Sequence, residues 1–153
     1  MLFVASHYSI ITGIGSGVTM LNAFDNSLQS AGVGNYNLLR VSSILPPNCK
    51  KFSAIELPYG ALLPIAYSRL CSNEKGREIT AAIGVGVPTD SASVGVIMEF
   101  SGFTTRTQAE KCVEQMVKDA MAQRQIEIKE IICRSCTTIV NEYNCVFAAI
   151  ALW

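Results

Sequence analysis

The chain has one histidine, one tryptophan and no net charge, and each shortage removes a class of function. With His7 alone, and with serines and aspartates scattered, nothing selects a Ser-His-Asp triad. Twelve basic residues balance twelve acidic ones, so no basic field exists to draw nucleic acid or an anionic lipid surface. Neither is expected as a partner. No apolar run reaches the roughly 18–20 residues that a membrane span needs. The opening "MLFVASHYSIITG" lacks the basic start and clear cleavage site of a secretory signal. A cytoplasmic protein without a membrane span is expected. The glycine-rich "TGIGSGVT" lacks the Gly-Lys-Ser/Thr ending of a phosphate loop, and no lysine lies near it. It reads as a strand-to-helix turn.

What is present is hydrophobic. Half of the 153 residues are apolar, and the mean hydropathy is +0.32. The length suits one domain with one sizeable core. The hydropathy exceeds what a monomer of this size readily hides, which points to a homo-oligomer. Six cysteines are scattered through apolar segments, and they read as buried thiols rather than a disulfide scaffold. Cys133 and Cys136 spell C-x-x-C, but their offset along a strand-like run puts them on opposite faces. No second pair completes a metal site, and no metal is expected.

Strand-like segments recur at 8–14, 35–41, 61–70, 79–87, 93–100, 126–134 and 145–152. The continuous runs "AAIGVGVP", "SVGVIMEF" and "CVFAAIALW" predict strands covered on both faces. In "GVGVP" the glycines allow close packing. One helix is predicted over about 20–31, stopping at Gly32. A second opens on the capping-box pattern Thr107-Gln108-Ala109-Glu110. Its apolar face is Ala109, Cys112, Val113, Met116, Val117, Ala120 and Met121. These elements make one α+β domain, with sheets stacked inside and helices outside.

Two acids stand in apolar settings. Leu21, Phe24, Asp25 and Leu28 fall on one face of the first helix, which puts a carboxylate in the stripe expected to face the core. An unpaired buried charge is costly. Asp25 therefore pairs with Arg40 or Lys50, or it lines a pocket that receives a cationic ligand. Glu99 closes the apolar run Val94 to Met98 and shares a face with Ile97. In an apolar pocket its carboxyl would suit a proton donor; at a strand end it would simply face solvent.

The stretch "NYNLLRVSSILPP" holds Ser42 and Ser43 at the end of a short apolar strand, before a proline stop. A serine hydroxyl can attack the carbonyl of the residue before it and replace the peptide bond with an ester. β-Elimination then cuts the chain and leaves dehydroalanine, which hydrolyses to a ketone, the pyruvoyl group. Such a ketone is an electron sink for amine chemistry. The plain alternative is a turn at a strand end.

"LNAFDNSLQSAGVGNYNLLRVSSILPP" resembles the core of the pyruvoyl-dependent arginine decarboxylases. The likeness continues through "LPYGALLPIAY", "ITAAIGVGVP", "GVIMEFSG", "AEKCVEQM" and "CVFAAIALW", covering roughly residues 19–153. By position, the resemblance implies that Ser43 becomes the covalent pyruvoyl cofactor and that Ser42 ends the small fragment. Asn37 matches the asparagine that assists cleavage and shapes the site. Asp25 matches the acid that receives the substrate guanidinium, and Leu21 and Leu28 match walls of that pocket. Glu99 matches the proposed proton donor.

The implied fold is an αββα four-layer sandwich, a single domain over 1–153, self-cleaved into a small chain, 1–42, and a large chain, 43–153. Protomers of the family form trimers, sometimes paired, with active sites between protomers. The implied activity turns arginine, a small-molecule substrate, into agmatine and carbon dioxide. The nearest rival is the same chemistry on ornithine or lysine, since an ammonium also pairs with Asp25. A rival of another class is an unprocessed structural or regulatory subunit.

Overall fold

In the computed structural model, which describes residues 2–153, the glycine-rich segment is strand rather than turn. Strand β1 runs His7–Gly17. A β-carbon added at Gly13 or Gly15 would collide with the backbone around Ser27. The missing side chains thus let helix α1 (Met20–Ser30) lie directly on the strand. The helix starts at Thr19, whose hydroxyl accepts from the Asn22 N–H at 3.1 Å. It stops where Gly32 takes φ +80° and Val33 N–H reaches back to the Leu28 carbonyl at 2.9 Å.

Packing on glycine decides which side of α1 is buried. Small residues fit there, so Ala23 and Ser27 are fully buried while Phe24 and Leu28 are half-buried. Leu21 is 74% exposed and Asp25 is exposed. This corrects the core-facing placement of Asp25: the apolar stripe is rotated off the strand, because glycine admits a closer approach than leucine would.

The later strands are β2 (Asn37–Arg40), β3 (Ile44–Leu45), β4 (Lys50–Lys51), β5 (Leu62–Ser72), β6 (Glu78–Pro88), β7 (Gly95–Gly102), β8 (Ile128–Ile139) and β9 (Tyr143–Leu152). Every strand expected from the sequence is present; the two-residue strands β3 and β4 were not legible. One sheet has the order β2-β5-β9-β1-β4 and the other β3-β7-β6-β8. Strands β1 and β5 pair antiparallel with β9, while β2 joins β5 in parallel.

The continuous runs have a plain cause. One face of β9, Val146, Ala148 and Ile150, meets Ile79, Ala81 and Ile83 of β6 in the core between the sheets. The other face, Phe147, Ala149 and Ala151, packs with Phe24 and Leu28 of α1. The second helix, α2 (Arg106–Gln123), covers β6 with Ala109 and Val113. A fully buried Ile or Phe contributes about 1.5–3 kcal/mol, and strands buried on both faces collect this twice. A β-carbon at Gly86 would press on Val117 and Met121, so glycine in β6 lets α2 sit close. The capping box is Thr105 with Gln108, two residues before the Thr107 start predicted above.

The chain is one domain of mixed α and β structure, with two helices and two sheets. Among the described residues no helix is long and apolar enough to cross a membrane. Cys71 and Cys145 face each other in the β5–β9 ladder and form a disulfide. This corrects the reading of all six cysteines as thiols: scattered positions in sequence become opposed once the strands pair.

Candidate active site

The two serines lie where the chain changes sheets. Strand β2 is held to β5, and the last contact on that side is Val41 N–H to the Ile65 carbonyl at 3.0 Å. The next is Ile97 N–H to the Ser43 carbonyl at 2.8 Å, on the other sheet. Ser42 stands between. Strand β3 then pairs Ile44 and Leu45 with Val96 and Gly95 of β7. Pro46 and Pro47 end it, because proline has no N–H for the ladder. Asn48 turns the chain at φ 59°, with its N–H on the Ser91 carbonyl at 2.8 Å. A strand too short to pair further, followed by a double-proline stop, makes this segment a bridge.

Ser42 and Ser43 line a cavity of about 210 Å³ with Val41, Ala66, Ile97, Met98, Glu99 and Met116. Three elements besides the bridge supply its walls: β5 gives Ala66, β7 gives Ile97 to Glu99, and α2 gives Met116. Glu99 is the only ionisable side chain among them. Ser42 also borders a second, largely apolar cleft of about 420 Å³ with Phe3, Val4, Ile44 and Pro64. Ser42 therefore borders both cavities and Ser43 one.

Glu99 shares its strand face with Ile97, as alternation predicts, and both line the cavity. It is neither of the two things the sequence left open, a lone carboxyl in an apolar pocket or a free one in solvent. Arg40 Nη2 donates to Glu99 Oε1 at 2.6 Å and to the Tyr67 carbonyl at 3.0 Å. The guanidinium also lies 4.5 Å from the centre of the Tyr67 ring. Sequence reasoning considered Arg40 only as a partner for Asp25. Its position three residues before Ser43 was the available signal.

The other predicted site residues lie outside this cavity. Asp25 accepts from Gln29 Nε2 at 3.0 Å, one helical turn away, so neither Arg40 nor Lys50 is its partner. Leu21 and Leu28 flank it on α1. Asn37 opens β2, at the end away from the serines, and its Nδ2 donates to the Gly60 carbonyl at 2.9 Å. The structure brings Ser42, Ser43 and Glu99 together and leaves Asp25, Leu21, Leu28 and Asn37 elsewhere on the chain.

The C-x-x-C pair does not form a second centre. Cys136 Sγ donates to the carbonyls of Phe147 at 3.3 Å and Gly13 at 3.5 Å, toward the other sheet. Cys133 packs on the opposite face, beneath Val113. Burial raises both thiols above their ordinary range, so neither is an activated thiolate.

The family model described as pyruvoyl-dependent arginine decarboxylase matches residues 7–153. A protein of that name from Methanocaldococcus jannaschii is 42% identical over 145 residues, covering 95% of this chain and 88% of the relative. One from Methanococcus vannielii is 40% identical with the same coverage. One from Thermococcus kodakarensis is 39% identical over 127 residues, 82% of this chain and 80% of the relative. The match takes in β1, which the quoted motifs did not reach, as well as every strand and helix around the serine bridge. This chain belongs to the family of pyruvoyl-dependent arginine decarboxylases.

Proposed function

We propose that this chain cleaves itself between Ser42 and Ser43 and then decarboxylates L-arginine to agmatine and carbon dioxide. The observation that carries the reading is the cavity in which Ser42, Ser43 and Glu99 meet, at the bridge between sheets. In this reading the Ser43 hydroxyl attacks the Ser42 carbonyl carbon. An ester C–O bond forms, the peptide C–N bond breaks, and the freed nitrogen takes the hydroxyl proton. Loss of the residue 43 Cα proton then expels the Ser42 carboxylate. The dehydroalanine left behind takes up water and releases ammonia, which leaves the ketone.

Once formed, the pyruvoyl group supplies an electron sink for loss of a carboxylate. The surroundings fit it. Ile97 N–H already holds the carbonyl next to the position where the ketone would stand. Ala66, Ile97, Met98 and Met116 offer an apolar wall, and no second ionisable side chain lines the cavity. Glu99 relays a proton to the substrate Cα. Asp25 takes the guanidinium, whose planar fork matches a carboxylate at two points, and Leu21 and Leu28 wall the pocket.

These residues complete the site from a neighbouring protomer, with Asn37 acting at the same boundary. Two sets of exposed apolar side chains support this: Val18, Met20 and Leu21 at the start of the helix that carries Asp25, and Leu39, Val41 and Ile44 around the serines. The assembly we propose is a trimer or a pair of trimers of αββα four-layer sandwiches, working in the cytoplasm on a free amino acid. Carbon dioxide release from arginine, ornithine and lysine tests the substrate. Arginine is expected to lead, and preference for a shorter ammonium substrate would reject the arginine assignment.

A further inference from the structure

Beside the Ser101–Arg69 hydrogen bond from β7 to β5, two links join the sheets at the serine cavity. One is covalent, the Ser42–Ser43 peptide. The other is ionic, Arg40 of β2 to Glu99 of β7 at 2.6 Å. From these we infer that Arg40 is the positioning residue for Glu99, and the one of the two links that remains once the chain is cut. The inference rests on the cleavage and decarboxylation proposed above, and it adds a residue to which neither the resemblance nor the family match gives a part.

The geometry explains why an arginine stands there. Cleavage would leave Ser42 as a chain end just beyond the last backbone bond, Val41 N–H to the Ile65 carbonyl, and chain ends fray unless tied down. Residue 43 stays on β7 with Glu99 through the Ile97 N–H, so what is left to fix is the direction of the Glu99 side chain. Arg40 holds both parts. Its Nη2 is shared between Glu99 Oε1 and the Tyr67 carbonyl at 3.0 Å, and its plane lies over the Tyr67 ring. Tyr67 is on β5, the strand that carries β2. The guanidinium is thus fixed to its own sheet and reaches out to the other.

Cleavage also places a new carboxylate at Ser42, in the same cavity as Glu99. Two carboxylates repel, and Arg40 is the nearby counter-charge. The pair is half-exposed, with 55% of the Arg40 side chain and 37% of the Glu99 side chain accessible. Exposed pairs add little to stability, so the contribution of this one is to aim the acid.

The test uses Arg40→Gln, Arg40→Lys, Glu99→Gln and the Arg40→Gln/Glu99→Gln double variant, with turnover expressed per cleaved chain by intact mass. Arg40→Gln is expected to cleave and to keep KM for arginine within about threefold, while kcat falls about 10–100-fold, the range a misplaced reacting group costs. Arg40→Lys recovers part of the rate, since an ammonium pairs with Glu99 but cannot copy the planar contacts. The double variant is no slower than Glu99→Gln alone, because Arg40 acts only through that carboxyl. Wild-type kcat in Arg40→Gln, an uncut Arg40→Gln chain, or losses that multiply in the double variant would each overturn the inference. Wild-type protein that neither cleaves nor releases carbon dioxide would reject the functional reading itself, before any Arg40 variant is compared.

Discussion

The backbone N–H of Ile97 donates to the carbonyl of Ser43 at 2.8 Å. This bond fixes the second serine to β7, two residues before Glu99. Since β3 pairs with the same strand, the segment after the proposed cut stays attached to the sheet that carries the acid. The segment before it stays with β5 through the parallel ladder from Asn37 to Arg40. Cutting the bridge therefore leaves each side held by backbone hydrogen bonds.

Asp25→Asn keeps shape and removes charge. The protein should fold and cleave as before, since Asp25 is exposed and its side chain accepts a hydrogen bond from Gln29 on the same helix. KM for arginine should rise on the order of 10–10³-fold, the cost of removing one partner from a desolvated charge pair. Unchanged KM in steady-state kinetics would return Asp25 to a solvated surface role.

Glu99→Gln separates processing from turnover. The Ser43 hydroxyl remains, so cleavage should continue at least in part. Turnover should drop roughly 10²–10⁴-fold, the usual contribution of a positioned general acid. KM should move less, because the lost interaction belongs to the transition state. Rapid turnover by the cleaved variant would assign the proton to another group.

Gly15→Ala tests the helix-on-glycine contact. A methyl group there meets the backbone of α1, which cannot yield as a flexible side chain would. Overpacking of this kind costs about 1–3 kcal/mol or more, so thermal melting should show a clearly lowered Tm. An unchanged Tm would show that α1 does not need the bare strand.

Cys49 links stability to alkaline pH. Burial pushes its thiol up from the ordinary value of 9.0 to about 11. Between those values the unfolded chain has given up the proton and the folded chain has not. Unfolding is then favoured by rising pH, so stability falls across that window. Denaturant titrations of wild type and Cys49→Ala should diverge between about pH 9 and 11, with the wild type losing more. Parallel curves would mean that the thiol is as accessible folded as unfolded.

Strand positions were legible in the sequence because β6 and β9 bury both faces and therefore read as unbroken apolar runs. The glycine-rich end of β1 was misread as a turn, since glycine marks both a bend and a close approach. The same ambiguity misplaced Asp25: helical periodicity gives a stripe, but only the strand beneath decides which side of the stripe is buried. Glu99 and the serine pair stood out by their mismatch with apolar surroundings, and the roles proposed for them came from the family resemblance. Arg40 was missed as a site residue, because its contact depends on two sheets meeting, and no local spacing encodes that. The Cys71–Cys145 link has the same origin in strand pairing.

The most direct test of the central claim is the intact mass of purified wild-type protein, before and after borohydride, beside Ser43→Ala. The account predicts chains 1–42 and 43–153, with the large chain blocked at its start and gaining two hydrogens on reduction. The Cys71–Cys145 disulfide lies wholly within the large chain, so the fragments should separate without reductant. Ser43→Ala should stay whole and inactive, having no hydroxyl to attack. A wild-type protein that is uncut yet fully active on arginine would contradict the account.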